Sequence, residues 1–372
     1  MGMPSEGTEA RATSVVPGNL VPLESRFEKN QGELGDPIES SPTVSGLTCL
    51  EICAGGGGQS LGLHQAGFAH RAAVEIDPHA CETLRLNHKE WNIVERDIHH
   101  FDGTSYKGVD LLAGGVPCPP FSIAGKQLGA DDERDLFPRA LRLAEECEPT
   151  AVMLENVRGL STTRFASYRE QVLARLRDDL GYEADWKVLN ACDFGVPQLR
   201  PRFILVAMKA SVFKYFKWPD EVKNPPTVGE ALYEYMAEDG WKGAKTWAEK
   251  ANGIGPTLVG GSRKHGGPDL GPTRARSEWL KLHVDGKGLA DTPPKATDPV
   301  GHLPRLTLPM AAAIQGFPPS WRFYGRKTAA YRQIGNAFPP PVARAVGESI
   351  RSAILGAREE EAVRSDRLLR VV

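Results

Sequence analysis

The sequence predicts an α/β fold built on a parallel sheet, with a second, smaller, loop-rich domain. Three observations carry this. Short apolar runs at 47–53, 72–76, 109–113, 150–154, 186–190 and 203–207 alternate with stretches of helical periodicity. A glycine-rich turn at 55–58 sits between the first run and a helix. After about residue 208 the pattern breaks into Pro225-Pro226, Gly260-Gly261 and Gly266-Gly267-Pro268, and helical periodicity returns at 307–315 and 341–355. Two such helices need a sheet to pack on, so the C-terminal segment is expected to complete the large domain.

These boundaries divide the chain into a loosely ordered leader (1–45), a large domain (46–208 with 304–356), a small domain (209–303) and a C-terminal tail (357–372). The chain has 372 residues, 41% hydrophobic and 25% charged, which suits one large or two modest globular domains. No run approaches the ~18 apolar residues of a membrane helix, and the leader lacks the basic start and apolar core of a secretory signal. A cytoplasmic protein with no membrane partner is expected. Cys49, Cys53, Cys81, Cys118, Cys147 and Cys192 are scattered, which predicts free thiols and no metal site. Net charge is −2, yet 195–305 carries 17 Lys and Arg against 12 Asp and Glu, which permits a local polyanion site.

In chain order, the first chemical signal is Glu51-Ile-Cys-Ala-Gly55-Gly-Gly-Gly58. Glycine lets the backbone turn tightly and approach a ligand, and the following helix start offers N–H donors. The second strand ends in Glu75-Ile76-Asp77, where an acidic side chain can bind a ribose diol. Asp97 would follow a third strand and could accept from an adenine amine. Next, Gly114-Gly-Val-Pro-Cys118-Pro-Pro-Phe-Ser122 holds a thiol on a proline-stiffened loop at the sheet's carboxyl edge. An unactivated thiol has a pKa of ~8.5, so a nucleophile there needs donors or a nearby cation.

The run at 150–154 leads into Glu155-Asn156-Val157, a carboxylate whose desolvation in a cleft would raise its pKa. Finally Gln198-Leu-Arg200-Pro-Arg202 alternates as it enters a strand. Residues i and i+2 of extended chain share a face, so both guanidiniums can point at one site or merely solubilise an edge.

These four signals, in this order, resemble the DNA (cytosine-5)-methyltransferase family of restriction-modification type. Arg305-Leu-Thr-Leu-Pro-Met-Ala-Ala-Ala-Ile-Gln-Gly-Phe-Pro318 and Tyr331-Arg-Gln-Ile-Gly335-Asn336-Ala337 extend the match to two further motifs, the last leading into a helix. The resemblance covers 47–355 apart from the irregular stretch. It implies a Rossmann-like S-adenosylmethionine-dependent fold with a target-recognition domain at 209–303.

By the resemblance, Cys118 is the nucleophile that adds to carbon 6 of a flipped-out cytosine, and Glu155 is the acid beside N3. Arg202 holds the base O2, and Arg200 stabilises a loop or a phosphate. Cys53, Ala54, Gly55, Gly57, Gly58, Glu75, Ile76, Asp97, Ile98, Pro117, Asn336 and Ala337 would hold S-adenosylmethionine, with Asn336 and the glycine backbone at its methionine end. The segment 121–135 resembles the family's lid, with Ser122, Lys126 and Gln127 toward DNA. Thr257-Leu258 resembles the short Thr-Leu pair of the recognition domain, and Arg263, Lys264, Arg274 and Arg276, with His265, are candidate groove readers. The implied partners are double-stranded DNA and a cognate restriction endonuclease sharing its site; a monomer suffices.

Two departures stand out. The family usually has Asp-Leu-Phe-Ala-Gly where this chain has Glu51-Ile-Cys53-Ala-Gly, and an aromatic residue where Ile76 stands, so weaker contact with adenine is expected. Other readings are methylation of tRNA, a catalytically inactive DNA-binding relative, and a nicotinamide-dependent dehydrogenase. The last rests on glycine spacing alone and leaves the Pro-Cys and Gln-x-Arg-x-Arg segments unexplained.

Overall fold

The computed structural model describes residues 46–117, 135–261 and 267–369. Cys118, Ser122, Lys126, Gln127, Arg263, Lys264 and His265, with the leader and most of the expected lid, lie outside them.

Strands β1 (Leu47–Ile52), β2 (Phe68–Glu75), β3 (Ile93–Glu95), β4 (Leu111–Gly115) and β5 (Ala151–Val157) pair in parallel. Two more, β6 (Tyr182–Asn190) and β8 (Pro201–Lys209), extend the sheet past β5 in antiparallel pairing. The order is β3-β2-β1-β4-β5-β8-β6. The expected parallel sheet is therefore mixed: β8 alone runs against the other six strands, because the chain turns back from β6 toward it, and apolar runs alone do not encode strand direction. Since β1 leads outward to β2 and β4 leads outward to β5, the topological switch point falls between the carboxyl ends of β1 and β4.

Alternation along the strands covers both faces. Leu50, Ile52, Val74, Leu112 and Leu154 pack with Phe137, Leu141 and Leu143 of helix α3 (Phe137–Cys147). Cys49, Leu111, Met153 and Val206 pack on the opposite face against α1 (Gly58–Gln65) and α11 (Pro340–Leu369). Along α11 the residues Val342, Val346, Ile350 and Ile354 are buried. Each contributes roughly 1.5–3 kcal/mol, more than the ~0–1 kcal/mol of a surface ion pair, so this seam fixes the helix more than the Arg358–Asp110 bridge does. The segment set apart as a tail is thus mostly the end of α11, which runs unbroken to Leu369.

The irregular stretch also has more order than its glycines and prolines suggest. It contains α6 (Val228–Ala237), α7 (Ala244–Lys250) and α8 (Thr273–Lys281). Thr227 and Glu230 form a capping box at the start of α6. Leu232, Met236, Trp247, Leu258 and Trp279 join a core that also includes Leu61, Leu84 and Trp91. That core further takes in α9 (Leu308–Ile314) and α10 (Lys327–Asn336). Among the described residues no helix is long and apolar enough to cross a membrane.

Candidate active site

Of the residues expected to hold the cofactor, Cys53 to Gly58 follow β1, Glu75 and Ile76 lie at the end of β2, Asp97 and Ile98 follow β3, Pro117 follows β4, and Asn336 and Ala337 lie at the end of α10. Glu75 ends β2, is 8% exposed, and accepts from three backbone N–H groups: Gly55 at 2.7 Å, and Ile76 and Asp77 at 2.8 Å each. Burial raises its pKa above the ordinary carboxylate value, and the N–H donors work against that rise. Burial also raises the Cys53 thiol, reinforced by the charges of Glu75, Asp97 and Glu51, which puts a neutral thiol beside these carboxylates. Asp97 accepts from His99 N at 2.9 Å, and Ile98 beside it is buried. Ala54 is buried, Pro117 is exposed, and Ile76 presents an apolar side chain that is 58% exposed.

The glycines of the turn serve different ends. Gly55 has φ +55°, and a Cβ there would meet nothing within 4 Å, so open space fronts its backbone. At Gly57 (φ +86°) a Cβ would lie 2.5 Å from Trp321 Cζ2, and at Gly58 it would lie 2.2 Å from the Phe338 carbonyl oxygen. Gly57 and Gly58 are therefore demanded by protein packing, whatever ligand their backbone meets; only Gly55 faces open space. Trp321, unsuspected from the sequence, also donates Nε1–H to the Gly56 carbonyl at 3.1 Å. Beneath the turn, fully buried Glu51 accepts from Gln59 at 3.2 Å and bonds the His70 ring at 3.0 Å, and His70 stacks on Trp91. A buried carboxylate at the end of β2, the exposed apolar side chain of Ile76 and the open backbone at Gly55 are groups of the kind that fit S-adenosylmethionine.

One strand further, β5 delivers Glu155 and Asn156. Register pairs Glu155 with Gly115 on β4 and with Ile204 on β8, and places Arg202 opposite Val157. Arg202 Nε donates to Glu155 Oε1 at 2.7 Å, with both side chains 12% exposed. Burial raises Glu155 and lowers Arg202 from their ordinary values; for Glu155 the cations of Arg202 and then Arg200 oppose the rise. Asn156 Nδ2 donates to the Val116 carbonyl at 2.8 Å, so this strand holds the chain that leads to Pro117 and Cys118.

Arg200 departs from the expectation that it shares a face with Arg202. The strand is interrupted at Arg200, between β7 (Gln198–Leu199) and β8, and its side chain is 0% exposed. It donates to the carbonyls of Leu258 at 2.8 Å, Gly335 at 2.7 Å and Ala337 at 2.9 Å. No phosphate can reach a guanidinium buried in that way. Gln198 belongs to the same network: its Oε1 accepts from Leu258 N at 2.9 Å, and its amide donates to Gln315 at 2.7 Å.

Three other expected residues are engaged with partners in the protein. The Thr257 hydroxyl donates to the Leu199 carbonyl at 2.5 Å. Asn336 donates to the Gly261 carbonyl at 3.1 Å, while Ala337 takes the place against Gly58. Arg276 lies along Gly286 with Nη2 3.3 Å from Thr273 Oγ1, and Arg274 is exposed on the same helix. Arg332, also unforeseen, pairs with Asp77 at 3.1 Å; partners 255 positions apart leave no local signal.

A family model described as C-5 cytosine-specific DNA methylase matches residues 47–352. The type II methyltransferase M.NaeI of Lentzea aerocolonigenes is 56% identical over 329 residues, covering 87% of this chain and 79% of that protein. The type II methyltransferase M.NgoMIV of Neisseria gonorrhoeae is 52% identical over 311 residues, covering 83% and 98%. Among solved structures, a putative DNA modification methyltransferase encoded within an Escherichia coli prophage aligns with a TM-score of 0.59 at 24% identity, covering 83% of this chain and 99% of that one. At that identity the structural likeness speaks to the fold alone.

Proposed function

The chain belongs to the C-5 cytosine-specific DNA methylases, and from that premise we propose that it methylates carbon 5 of a flipped-out cytosine within one short duplex DNA sequence, as the modification enzyme of a type II restriction-modification system. The observation that carries the reading is the meeting of Glu155, Arg202 and the Val116–Pro117 chain at the sheet edge next to the cofactor cradle.

Carbon 5 of an aromatic cytosine is a poor nucleophile. The Cys118 thiolate adds to carbon 6, and the ring's electron pair moves toward N3 and carbon 5. Glu155 as a neutral acid donates to N3 and relieves the charge that builds there. Arg202 donates to the base O2. In the free protein Arg202 opposes the rise of the Glu155 pKa, so a base that draws Arg202 onto O2 favours the protonated acid when it is needed. Carbon 5, now part of an enamine, would take the methyl group as the donor's methyl–sulfur bond breaks; the carbon-5 proton leaves to water, the Cys118 thiolate departs, and N3 returns its proton to Glu155, which restores the aromatic ring. S-adenosylmethionine, when bound, supplies that methyl group. Glu75 would hold its ribose hydroxyls, Ile76 and Cys53 would border its adenine, and the backbone at Gly55 would meet its methionine end. Neither ring carbon is reachable in a stacked duplex, so the base is extruded at a cost of a few kcal/mol.

The partner is duplex DNA, which implies a cytoplasmic, DNA-associated enzyme. A cognate endonuclease would share the site without touching this chain, and a monomer suffices because one centre methylates one strand at a time. Residues 209–303 serve as the recognition domain, with 46–208 and 304–356 as the catalytic domain.

The test is incubation with tritium-labelled S-adenosylmethionine and duplex DNA, then tRNA, with bisulfite mapping of the product. Label at one repeated short motif in duplex DNA is expected, and label confined to tRNA overturns the reading. Cys118→Ser should abolish transfer while S-adenosylhomocysteine and DNA still bind.

A further inference from the structure

Arg200 is the most completely buried cation of the site, and its hydrogen bonds join two segments that are otherwise separate in sequence. Its Nη1 donates to the carbonyl of Leu258, and its Nη2 to the carbonyls of Gly335 and Ala337. We propose that Arg200 is a positioning residue that couples DNA recognition to occupancy of the cofactor cradle, by clamping segment 257–261 of the small domain onto the turn that ends α10. This rests on the methyltransferase reading above.

The two segments cross at backbone contact. A Cβ at Gly335 would lie 2.3 Å from Gly260 N, and one at Gly260 would lie 2.4 Å from the Arg332 carbonyl oxygen. Asn336 adds its hydrogen bond to Gly261 at the same crossing. On the cradle side, Ala337 and Phe338 press against Gly58 of the glycine turn, and Arg332 bridges to Asp77, two residues beyond Glu75. On the other side, the clamped segment packs Leu258 in the core that holds Trp279 of α8. A planar guanidinium satisfies three carbonyls in one fixed geometry, so a shift of either segment strains its bonds to the other. Binding linkage is reciprocal: DNA that stabilises this arrangement tightens the cofactor site by the same factor that the cofactor tightens DNA.

The experiment measures S-adenosylhomocysteine affinity by titration calorimetry, alone and with a duplex carrying the mapped methylation site, for wild type and Arg200→Lys. Lysine keeps the charge but not the three-carbonyl fork. The expected result is that DNA tightens S-adenosylhomocysteine in wild type, and that this enhancement falls about fivefold or more in Arg200→Lys. A purely structural role would lower the melting temperature and weaken both ligands in proportion, leaving the enhancement unchanged. Gly260→Ala, which pushes the recognition segment off α10 while Arg200 stays intact, is measured in parallel and decides the matter if Arg200→Lys does not fold. An unchanged enhancement in the folded variants, or none in wild type, overturns the proposal. If wild type methylates no DNA, both the reading and the inference fail; if it methylates DNA with an unchanged enhancement, the inference alone fails.

Discussion

The Asn156 side-chain amide donates to the Val116 carbonyl at 2.8 Å, and its own Oδ1 accepts from Val157 N. One buried amide thereby ties the strand that presents Glu155 to the chain that leads into Cys118. Val116 follows β4 and Asn156 lies on β5, so this bond joins the ends of adjacent strands beside the Gly115–Glu155 pair.

Replacing Asn156 with Ala removes that link and leaves the buried Val116 carbonyl without its donor, a loss of about 1–3 kcal/mol. We expect a lower melting temperature and a fall in single-turnover methyl transfer at saturating cofactor. Asn156→Asp should be worse, because a carboxylate oxygen would face the carbonyl.

Glu155→Gln keeps the shape of the acid but cannot give up a proton in the same way. Methyl transfer should slow strongly. Burial raises the Glu155 pKa, so the wild-type rate that depends on the neutral acid is retained at lower pH and lost as pH rises through that pKa. Profiles of kcat against pH should therefore show an alkaline fall that disappears in the variant; an unchanged fall would assign it to another group.

Gly57 and Gly55 should respond differently to alanine. At Gly57 a Cβ meets Trp321 and Leu84 at 2.5 and 2.8 Å in a left-handed conformation, so Gly57→Ala should destabilise the fold by roughly 1–3 kcal/mol. At Gly55 only backbone strain of about 1–2 kcal/mol applies, and the new methyl group enters the open space of the cradle. Gly55→Ala should thus raise the S-adenosylmethionine KM more than it lowers the melting temperature.

Arg274 and Arg276 separate by exposure. Arg274 is open to solvent, so Arg274→Gln should weaken all DNA sites alike and flatten the salt dependence if it meets phosphate, or change the preferred site if it meets a base. Filter-binding titrations on specific and unrelated duplexes at several salt concentrations distinguish these outcomes.

The sequence by itself determined the alternation that builds the sheet, the positions of Glu75 and Glu155 at strand ends, and the family, because these depend on local periodicity and on motifs read in order. The helices between Val228 and Lys281 escaped that reading because glycine and proline mask short segments whose apolar residues are sorted only by packing. The reversed direction of β8, the diversion of Arg200 into three carbonyls, the turn of Asn336 toward Gly261, and the bridge from Arg332 to Asp77 were decided by tertiary structure alone. Each depends on which distant groups packing brings together; the fully buried Arg200 in particular takes the carbonyls that packing leaves beside it.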